Sequence, residues 1–322
     1  MDGRFTRTGI GWVLGLVLIG IGASSRVHAQ GYVNQEALEA WLQPCPADFA
    51  PASRPAFFAY PMTDRRNNRV LAQNTFFKYI GDRDIPLGRE RAVLVELLNR
   101  KMVMDTALGD TLIVPVDFNL PFCAYAPYPA FYEGAATFDK LFVIDKATQS
   151  FAAFEHGRLV RWGIVNTGSA ETPTPNGRYN FNWRAEYRIS SMSPPGQQWE
   201  MYWVLNFHLL RGIHIHQYAL PTGGPTSAGC VRLVDNDAAW IYDWADTWQT
   251  SAGDRVGSER GTLYKQGTTV LVIGDDPTGA PEVFAWEGGK PQVRMVDLPA
   301  NPFDVPPGTQ QQIEWDRKRL GR

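Results

Sequence analysis

Two histidines and one cysteine lie within residues 212–233 (GIHIHQYALPTGGPTSAGCVRL). Because side chains alternate along a β-strand, His214 and His216 would project from the same face while their neighbours point into the core. Cys230 follows His216 by fourteen positions. A thiol becomes a strong nucleophile when it loses its proton, and a nearby imidazole can take that proton. The stretch therefore predicts nucleophilic catalysis by a cysteine with a histidine base.

Small residues precede the cysteine in the order Ser227, Ala228, Gly229. They leave the backbone amides of this segment open to an approaching carbonyl group. Amides directed at a developing oxyanion stabilise the tetrahedral intermediate of acyl transfer. We expect Ser227 and Gly229 to act through backbone geometry rather than through side-chain chemistry.

Two other interpretations of these residues remain open. A His-x-His pair on a strand often binds a metal, and a single cysteine in an exported protein often forms a disulfide. A metal site would need third and fourth ligands, and the sequence offers no credible candidates for them. The metal interpretation is therefore the weaker one, and we predict no metal site.

Short runs typical of β-strands surround this stretch and are separated by turn residues. They lie at 141–144, 150–154, 159–165, 178–183, 202–207, 212–216 and 269–273. One helix interrupts them, with Asn236 as its expected N-cap and with Trp240, Trp244 and Trp248 spaced to share a face. Many short strands with one inserted helix predict a mainly β domain, either a β-sandwich or a barrel.

The motif Ser-Ala-Gly-Cys-Val-Arg at 227–232 follows a strand that ends in histidine. This order resembles the signature of the L,D-transpeptidases with a YkuD-type catalytic domain. Residues 141–168 resemble the opening hairpin of that family, 172–181 (TPTPNGRYNF) its TPxG segment and 267–273 its closing strand. The resemblance covers residues 139–276 and implies a YkuD-like β-sandwich.

The resemblance also implies a reaction on peptidoglycan. Cys230 would attack a stem tetrapeptide, release the terminal D-Ala and pass the acyl group to an amine of a second stem or of a lipoprotein. Two histidines compete for the role of the base. His216 matches the position of the family's catalytic histidine and is favoured over His214, which could instead position His216 or line the groove. No metal or organic cofactor is needed for this chemistry.

Two positions of the motif depart from the family. Ala228 stands where many members have a second histidine, and Gln217 stands where the residue after the catalytic histidine is often glycine. Gln217 and Arg232 are candidate substrate-binding residues, although Arg232 could equally be a solvated structural charge. An L,D-carboxypeptidase or endopeptidase, in which water resolves the same acyl-enzyme, is an alternative. A non-catalytic peptidoglycan-binding protein is another.

The remaining segments are predicted from local composition. Residues 1–29 have a basic start, an apolar middle and small residues up to Ala29. This order is typical of a secretory signal peptide that is cleaved after Ala29. It predicts export to the periplasm or cell wall. Residues 30–138 are expected to form a mixed α/β extension, in which a helix at 89–101 and a turn followed by a short strand at 108–115 resemble the end of a LysM-like unit at 89–115. Residues 277–322 are expected to be a loosely held Pro- and Gly-rich tail.

The charge of the chain bears on its binding partners, and its cysteine count bears on disulfide formation. The chain has 31 Lys and Arg against 33 Asp and Glu, a formal net charge of −2, which argues against nucleic acid as the main partner. Only three cysteines are present. Outside the cytoplasm Cys45 and Cys123 could pair, which would leave Cys230 free.

Overall fold

A computed structural model describes residues 35–50, 54–250 and 263–320. The predicted signal peptide at 1–29 lies outside these residues. No helix within them combines the length and the apolar character needed to span a bilayer. The five α-helices of the described residues are α1 (Gln35–Trp41), α2 (Arg69–Ile80), α3 (Ile85–Asn99), α4 (Asp235–Trp244) and α5 (Gln310–Leu320).

The strands of the described residues fall into five sheets. They are β1 (Phe57–Pro61), β2 (Thr111–Pro115), β3 (Leu141–Asp145), β4 (Ser150–Glu155), β5 (Arg158–Ile164), β6 (Gly177–Asn180), β7 (Trp183–Ile189), β8 (Glu200–His208), β9 (Ile213–Gln217), β10 (Val231–Leu233), β11 (Gln249–Thr250), β12 (Leu263–Lys265), β13 (Thr269–Ile273), β14 (Phe284–Glu287) and β15 (Lys290–Val293). Short 3₁₀ turns occur at Val103–Asp105, Phe122–Tyr125, Glu133–Ala135 and Pro302–Asp304.

Two of these sheets face each other and form a β-sandwich. One has five strands in the order β5-β4-β3-β13-β6, and the other has four in the order β10-β9-β8-β7. Apolar side chains of both sheets form one buried cluster, which includes Phe142, Phe151, Tyr179, Phe207, Ile213, Ile215, Val231, Leu233 and Val270. The predicted mainly β fold with one inserted helix, α4, is confirmed.

One interior strand of the five-stranded sheet comes late in the chain. β13 pairs in parallel with β3 on one side and antiparallel with β6 on the other. Its residues Val270, Leu271 and Val272 are completely buried. A strand that is apolar on both faces is expected where both faces of a sheet are covered.

The inserted helix differs in detail from the prediction. Asn236 is not the N-cap, because α4 already begins at Asp235 and Val234 occupies the cap position without a side-chain hydrogen bond. Asn236 instead accepts a hydrogen bond from Arg161 through its side-chain oxygen, at 2.5 Å. The helix ends at Trp244, so Trp248 lies beyond it, whereas Trp240 and Trp244 stack with ring centroids 5.4 Å apart.

Residues 57–115 form a strand–helix–helix–strand unit, here called the N-terminal unit. Strands β1 and β2 pair antiparallel, and α2 and α3 connect them. α3 begins earlier than predicted because Asp84 caps it and Pro86 fits its first turn. It ends at Asn99, because Arg100 is in the left-handed conformation with φ of 55°. The LysM-like assignment of residues 89–115 remains a prediction, and β1 and α2 lie before that segment in the chain.

Arg100 joins the N-terminal unit to the β-sandwich. Its side chain is buried and donates from Nε to the carbonyl oxygens of Thr148 and Gln149, at 3.1 and 3.2 Å. Its own carbonyl accepts from the amide of Gly223 at 3.1 Å. Gly223 lies in the loop between β9 and β10, so one residue contacts both the turn after β3 and the loop that leads to Cys230.

A disulfide links Cys45 to Cys123, with Cα atoms 5.6 Å apart, and Cys230 is free. The predicted pairing is therefore confirmed. The bond ties the segment after α1 to the 3₁₀ turn Phe122–Tyr125, whose Phe122 ring stacks on Trp162 of the five-stranded sheet at 4.3 Å.

The C-terminal segment is not a loose tail, contrary to the expectation from its composition. It contains the β14–β15 hairpin and α5. The amide of Arg178, in edge strand β6, donates to the Pro306 carbonyl at 2.8 Å, and the amide of Gly308 donates to the Arg178 carbonyl at 2.9 Å. The Arg178 guanidinium also forms a two-point ion pair with Asp316 of α5, at 3.0 and 2.6 Å. The segment thereby covers a strand edge that would otherwise be open to pairing.

Candidate active site

Strands β9 and β10 run parallel and bring the predicted site residues together. Arg232 lies opposite His216, and Val231 lies opposite Ile215. Val231 and Ile215 point into the core between the sheets. Alternation along each strand therefore places His216 and Arg232 on the other face of the four-stranded sheet.

His214 and Cys230 lie two residues before His216 and Arg232 in the chain. His214 belongs to β9, and Cys230 comes directly before β10, which begins at Val231. Alternation therefore places His214 on the same sheet face as His216, and Cys230 leads into the strand that carries Arg232. The spacing of the two histidines in the sequence correctly predicted that they share a face.

Cys230 is a half-buried free thiol. Its Sγ contacts the carbonyl oxygen of Gly212 at 4.0 Å, in the turn between β8 and β9. Burial raises the pKa of the thiol, while a hydrogen bond with the His214 backbone and the nearby charge of Arg232 lower it, and burial dominates. In the resting protein Cys230 is therefore a thiol rather than a thiolate at neutral pH.

His216 is held by the residue that follows it. Its Nδ1 lies 2.8 Å from the carbonyl oxygen of Gln217, and a carbonyl can only accept, so Nδ1 carries a proton. Burial, with a smaller contribution from the charge of Arg232, lowers the pKa of His216 to about 4, although the hydrogen bond with Gln217 acts in the opposite direction. His216 is thus neutral at pH 7, with Nε2 able to accept a proton.

His214 has the opposite tautomer, because of Asn206. The side-chain amide nitrogen of Asn206 is 3.1 Å from the Ile213 carbonyl oxygen and 3.0 Å from His214 Nδ1. Since that nitrogen donates to both, His214 Nδ1 accepts, and the proton is on Nε2. Burial, with the neighbouring His216 and Arg188, lowers the pKa of His214 to about 3. A neutral His214 therefore has no free nitrogen to take a proton from a thiol.

Asn206 itself was missed by the sequence analysis. A single Asn in the apolar strand β8 has no distinctive local signal, and its role follows from its pairing with His214 across the sheet. Its side-chain oxygen accepts from Asn182 at 2.8 Å, which fixes the orientation of the amide.

The loop before Cys230 is held by its own side chains. Ser227 donates from its hydroxyl to the Cys230 carbonyl and accepts from the Gly229 amide at 3.0 Å. The Ser227 amide donates to the Thr167 carbonyl at 3.1 Å. The amides of Ser227 and Gly229 are thus already used within the protein. The other amides of this loop are those of Ala228 and Cys230, and these are the better candidates for an oxyanion site.

A second loop supports the first. Thr172 donates from its hydroxyl to the Ser227 carbonyl at 3.0 Å, and Thr174 donates to the Gly229 carbonyl at 2.9 Å. Gly229 itself has φ of 113°, a conformation that L side chains rarely adopt. The two threonines belong to the segment at 172–181, for which the sequence indicated only a resemblance to the family's TPxG segment. Their hydrogen-bond partners lie 55 positions away in the sequence, so a local sequence pattern does not indicate them.

Arg232 is anchored on the protein. Its Nη1 lies 3.3 Å from the side-chain oxygen of Asn166 and 3.2 Å from the hydroxyl of Thr226. The guanidinium carbon sits 4.0 Å from the centroid of the Tyr218 ring. Its Nε is buried without a hydrogen-bond partner among the described residues.

Gln217, the other candidate substrate-binding residue, is half-buried, and its backbone carbonyl accepts the hydrogen bond from His216.

Within the described residues, no group of three or more His, Cys, Asp and Glu side chains is arranged to hold a metal ion. His214 and His216 instead use their Nδ1 atoms in the protein hydrogen bonds described above.

Comparison with known proteins identifies the domain that carries this site. Residues 139–272 match the family model of YkuD, the L,D-transpeptidase catalytic domain, and the resemblance predicted from the sequence is confirmed. The chain has no significant match among curated proteins.

Several solved structures are similar to part of the chain. An L,D-transpeptidase from Mycobacterium smegmatis is 18% identical with a TM-score of 0.32, over 42% of this chain and 58% of that one. One from Stackebrandtia nassauensis is 21% identical with a TM-score of 0.33, over 43% of this chain and 57% of that one. An L,D-transpeptidase fragment from Xylanimonas cellulosilytica is 21% identical with a TM-score of 0.38, over 70% of this chain and all of that one. The chain thus spans little more than half the length of the first two.

Proposed function

We propose that the protein is a peptidoglycan L,D-transpeptidase with Cys230 as nucleophile and His216 as general base. The observation that carries the proposal is the hydrogen bond from His216 Nδ1 to the Gln217 carbonyl. It leaves Nε2 unprotonated, on the strand that pairs with the one directly after Cys230. The match of residues 139–272 to the L,D-transpeptidase catalytic domain supports the same reaction class.

The reaction would begin with the neutral thiol and the neutral imidazole. His216 Nε2 takes the proton of Cys230 as Sγ attacks the carbonyl carbon before the last residue of a stem tetrapeptide. A new S–C bond forms and the carbonyl oxygen becomes an oxyanion near the amides of Ala228 and Cys230. The C–N bond then breaks, and the imidazolium returns its proton to the leaving amine of D-Ala. A thioester on Cys230 remains.

An amine acceptor would complete the cycle. The side-chain amine of a second stem, or of a lipoprotein lysine, attacks the thioester carbon, and neutral His216 takes the proton of the incoming amine. The new amide bond forms as the S–C bond breaks, and the thiol is regenerated. Water in place of the amine would give the alternative, an L,D-carboxypeptidase. Export to the periplasm or cell wall, where these substrates lie, is part of the proposal.

The test is to incubate residues 30–322 with a disaccharide-tetrapeptide and to follow the products by mass spectrometry, with Cys230→Ala in parallel. A cross-linked dimer that has lost one D-Ala, formed only by the wild type, is the expected result. Release of tripeptide without dimer would favour the hydrolase. Unchanged substrate would contradict cysteine catalysis on this substrate and would favour a peptidoglycan-binding role.

A further inference from the structure

The turn between β8 and β9, residues 209–212, lies beside Cys230. The Gly212 amide donates to the Leu209 carbonyl at 3.1 Å and closes the turn, and the Gly212 carbonyl is the contact of Cys230 Sγ. Arg211 is therefore the residue next to the group that touches the thiol. Its side chain is exposed and was not singled out by the sequence analysis.

The Arg211 side chain reaches over the loop before Cys230. Its Nη2 lies 3.3 Å from the Pro173 carbonyl oxygen, and a Cβ placed on Gly229 would be 4.0 Å from the same Nη2. The guanidinium thus sits above the residue that precedes the nucleophile. The long contact with Pro173 uses one of the five N–H donors of an arginine.

The surroundings of Arg211 differ from those of Arg232. Arg232 is fixed by Asn166, Thr226 and the Tyr218 ring. Arg211 is solvent-exposed, and its guanidinium donates to the Pro173 carbonyl, which is a neutral group. Glu171, the acidic residue of the facing loop, accepts a hydrogen bond from the Ser169 hydroxyl at 2.8 Å. The charge of Arg211 is therefore not neutralised by an ion pair in the described part of the chain.

We propose that Arg211 binds the free C-terminal carboxylate of the donor peptide, which is the carboxylate of the residue that leaves. This inference rests on the proposed function. When the scissile carbonyl is at Cys230, the terminal carboxylate is one residue further along the substrate, about 3.8 Å per residue in Cα spacing. A guanidinium fork matches a carboxylate in geometry and charge, and pairs with it through two hydrogen bonds.

Such a contact determines which peptide bond is cleaved. Only the last bond of a peptide has the terminal carboxylate one residue beyond it, so Arg211 would favour acylation by donors with a free C-terminus. The leaving residue would be a single amino acid. A stem whose fourth residue is extended or amidated would place a neutral group against the guanidinium and would be a poor donor.

The experiment compares two donors and four proteins. The donors are a stem tetrapeptide with a free C-terminal D-Ala and the same peptide ending in D-Ala amide. The proteins are the wild type, Arg211→Gln, Arg211→Lys and the control Arg65→Gln, which removes an exposed arginine from the N-terminal unit. The initial rate of release of D-Ala or D-Ala amide is measured by mass spectrometry, and the alkylation rate of Cys230 by iodoacetamide shows that each variant is folded with an intact thiol.

We expect the wild type and Arg65→Gln to use the free acid about 10- to 100-fold faster than the amide, as for a charge-assisted hydrogen bond. Arg211→Gln should lose most of this preference through a slower reaction with the free acid, and Arg211→Lys should recover part of it. The alkylation rates should be equal in all four proteins.

Three results would overturn the assignment of Arg211. A wild type that uses acid and amide equally would show that no carboxylate is recognised, while leaving the proposed function intact. A preference that persists in Arg211→Gln would place the recognition elsewhere. A wild type that releases neither product would contradict the proposed function itself, and the role of Arg211 with it.

Discussion

His216 and Gln217 are consecutive residues of β9, and the imidazole of the first donates a hydrogen bond to the carbonyl of the second at 2.8 Å. The orienting group of the base is therefore part of the backbone and is present whatever side chain position 217 carries. His214 is oriented instead by a side chain, that of Asn206.

The two histidines should respond differently to replacement by asparagine. His216→Asn removes the nitrogen that accepts the thiol proton, and we expect acylation of Cys230 to slow by about 10²- to 10⁴-fold. His214→Asn leaves that nitrogen in place and should slow acylation far less. The measurement is the rate of D-Ala release from a stem tetrapeptide. A larger loss in His214→Asn than in His216→Asn would show that the base has been misassigned.

The pH dependence of thiol reactivity follows from the two pKa shifts. Burial raises the pKa of Cys230 above the ordinary value of a thiol, about 8.5, and lowers that of His216 to about 4. Between these values both groups are neutral, so no thiolate–imidazolium pair is present. We expect the rate of alkylation by iodoacetamide to rise steadily with pH from 6 to beyond about 8.5. A plateau reached near pH 6 would indicate a preformed ion pair and would contradict this prediction.

The disulfide should contribute to stability without affecting the nucleophile. Replacing both Cys45 and Cys123 by Ala removes a cross-link across a sequence separation of 78 residues, and the expected loss is about 2–5 kcal/mol in the free energy of unfolding. Urea denaturation measures it. Alkylation of the folded wild type without reductant should modify Cys230 alone, and labelling of Cys45 or Cys123 would show that the bond is not formed.

Arg100 should couple the N-terminal unit to the site. Arg100→Met leaves the buried carbonyls of Thr148 and Gln149 without their donor, at an expected cost of about 2–4 kcal/mol by the usual penalty for unsatisfied groups. The Gln149 side chain accepts from the Thr167 amide at 2.9 Å, and the Thr167 carbonyl accepts from Ser227. We therefore also expect slower acylation of Cys230 under conditions where the variant is fully folded.

The control for this prediction is Arg91→Met. Arg91 belongs to α3, the helix that ends directly before Arg100, and its side chain pairs with exposed Asp82 at 2.7 Å. It should leave the acylation rate unchanged. If Arg100→Met loses stability but acylates at the wild-type rate, Arg100 holds the two parts together without influencing the site.

Glu96 of α3 should make stability depend on pH. It is buried, and burial raises its pKa from 4.5 to about 7, with a smaller contribution from Asp105. A folded pKa above the unfolded one means that stability is fully present below pH 4.5 and is lost as pH rises through 7. The loss is on the order of 3 kcal/mol for a shift of this size.

Glu96→Gln keeps an oxygen to accept the Val103 amide but cannot ionise. The difference in unfolding free energy between this variant and the wild type should therefore shift in favour of the variant between pH 5 and pH 8. The comparison at two pH values is needed because Asp237, His214 and His216 also titrate in or near this range. An unchanged difference would contradict the raised pKa of Glu96.

The features that could be predicted from the sequence depend on residues that are close together in the chain or on residue counts. Alternation from Ile213 to Gln217 predicted the strand and the shared face of its histidines. The motif around Cys230 predicted the domain family. In a chain with an odd number of cysteines, a free Cys230 suggested that Cys45 and Cys123 pair.

The features that were missed depend on contacts between distant residues. α5 is rich in polar and charged residues, and the ion pair that fixes it joins Asp316 to Arg178, 138 positions earlier. Nothing near either residue indicates the other, so the segment was taken for a loose tail. Asn206 and Thr174 are likewise ordinary residues whose partners, His214 and Gly229, are supplied by the fold.

The late position of β13 in the chain affects how the protein can fold during synthesis. A nascent chain that ends before residue 269 has β3 and β6 but not the strand that lies between them in the five-stranded sheet. β6 therefore cannot join the β5-β4-β3 part of the sheet until most of the chain has been translated, and pairings between such distant segments form slowly. A frameshift or stop codon before β13 would leave β6 without its partner strand and would leave one edge of β3 unpaired.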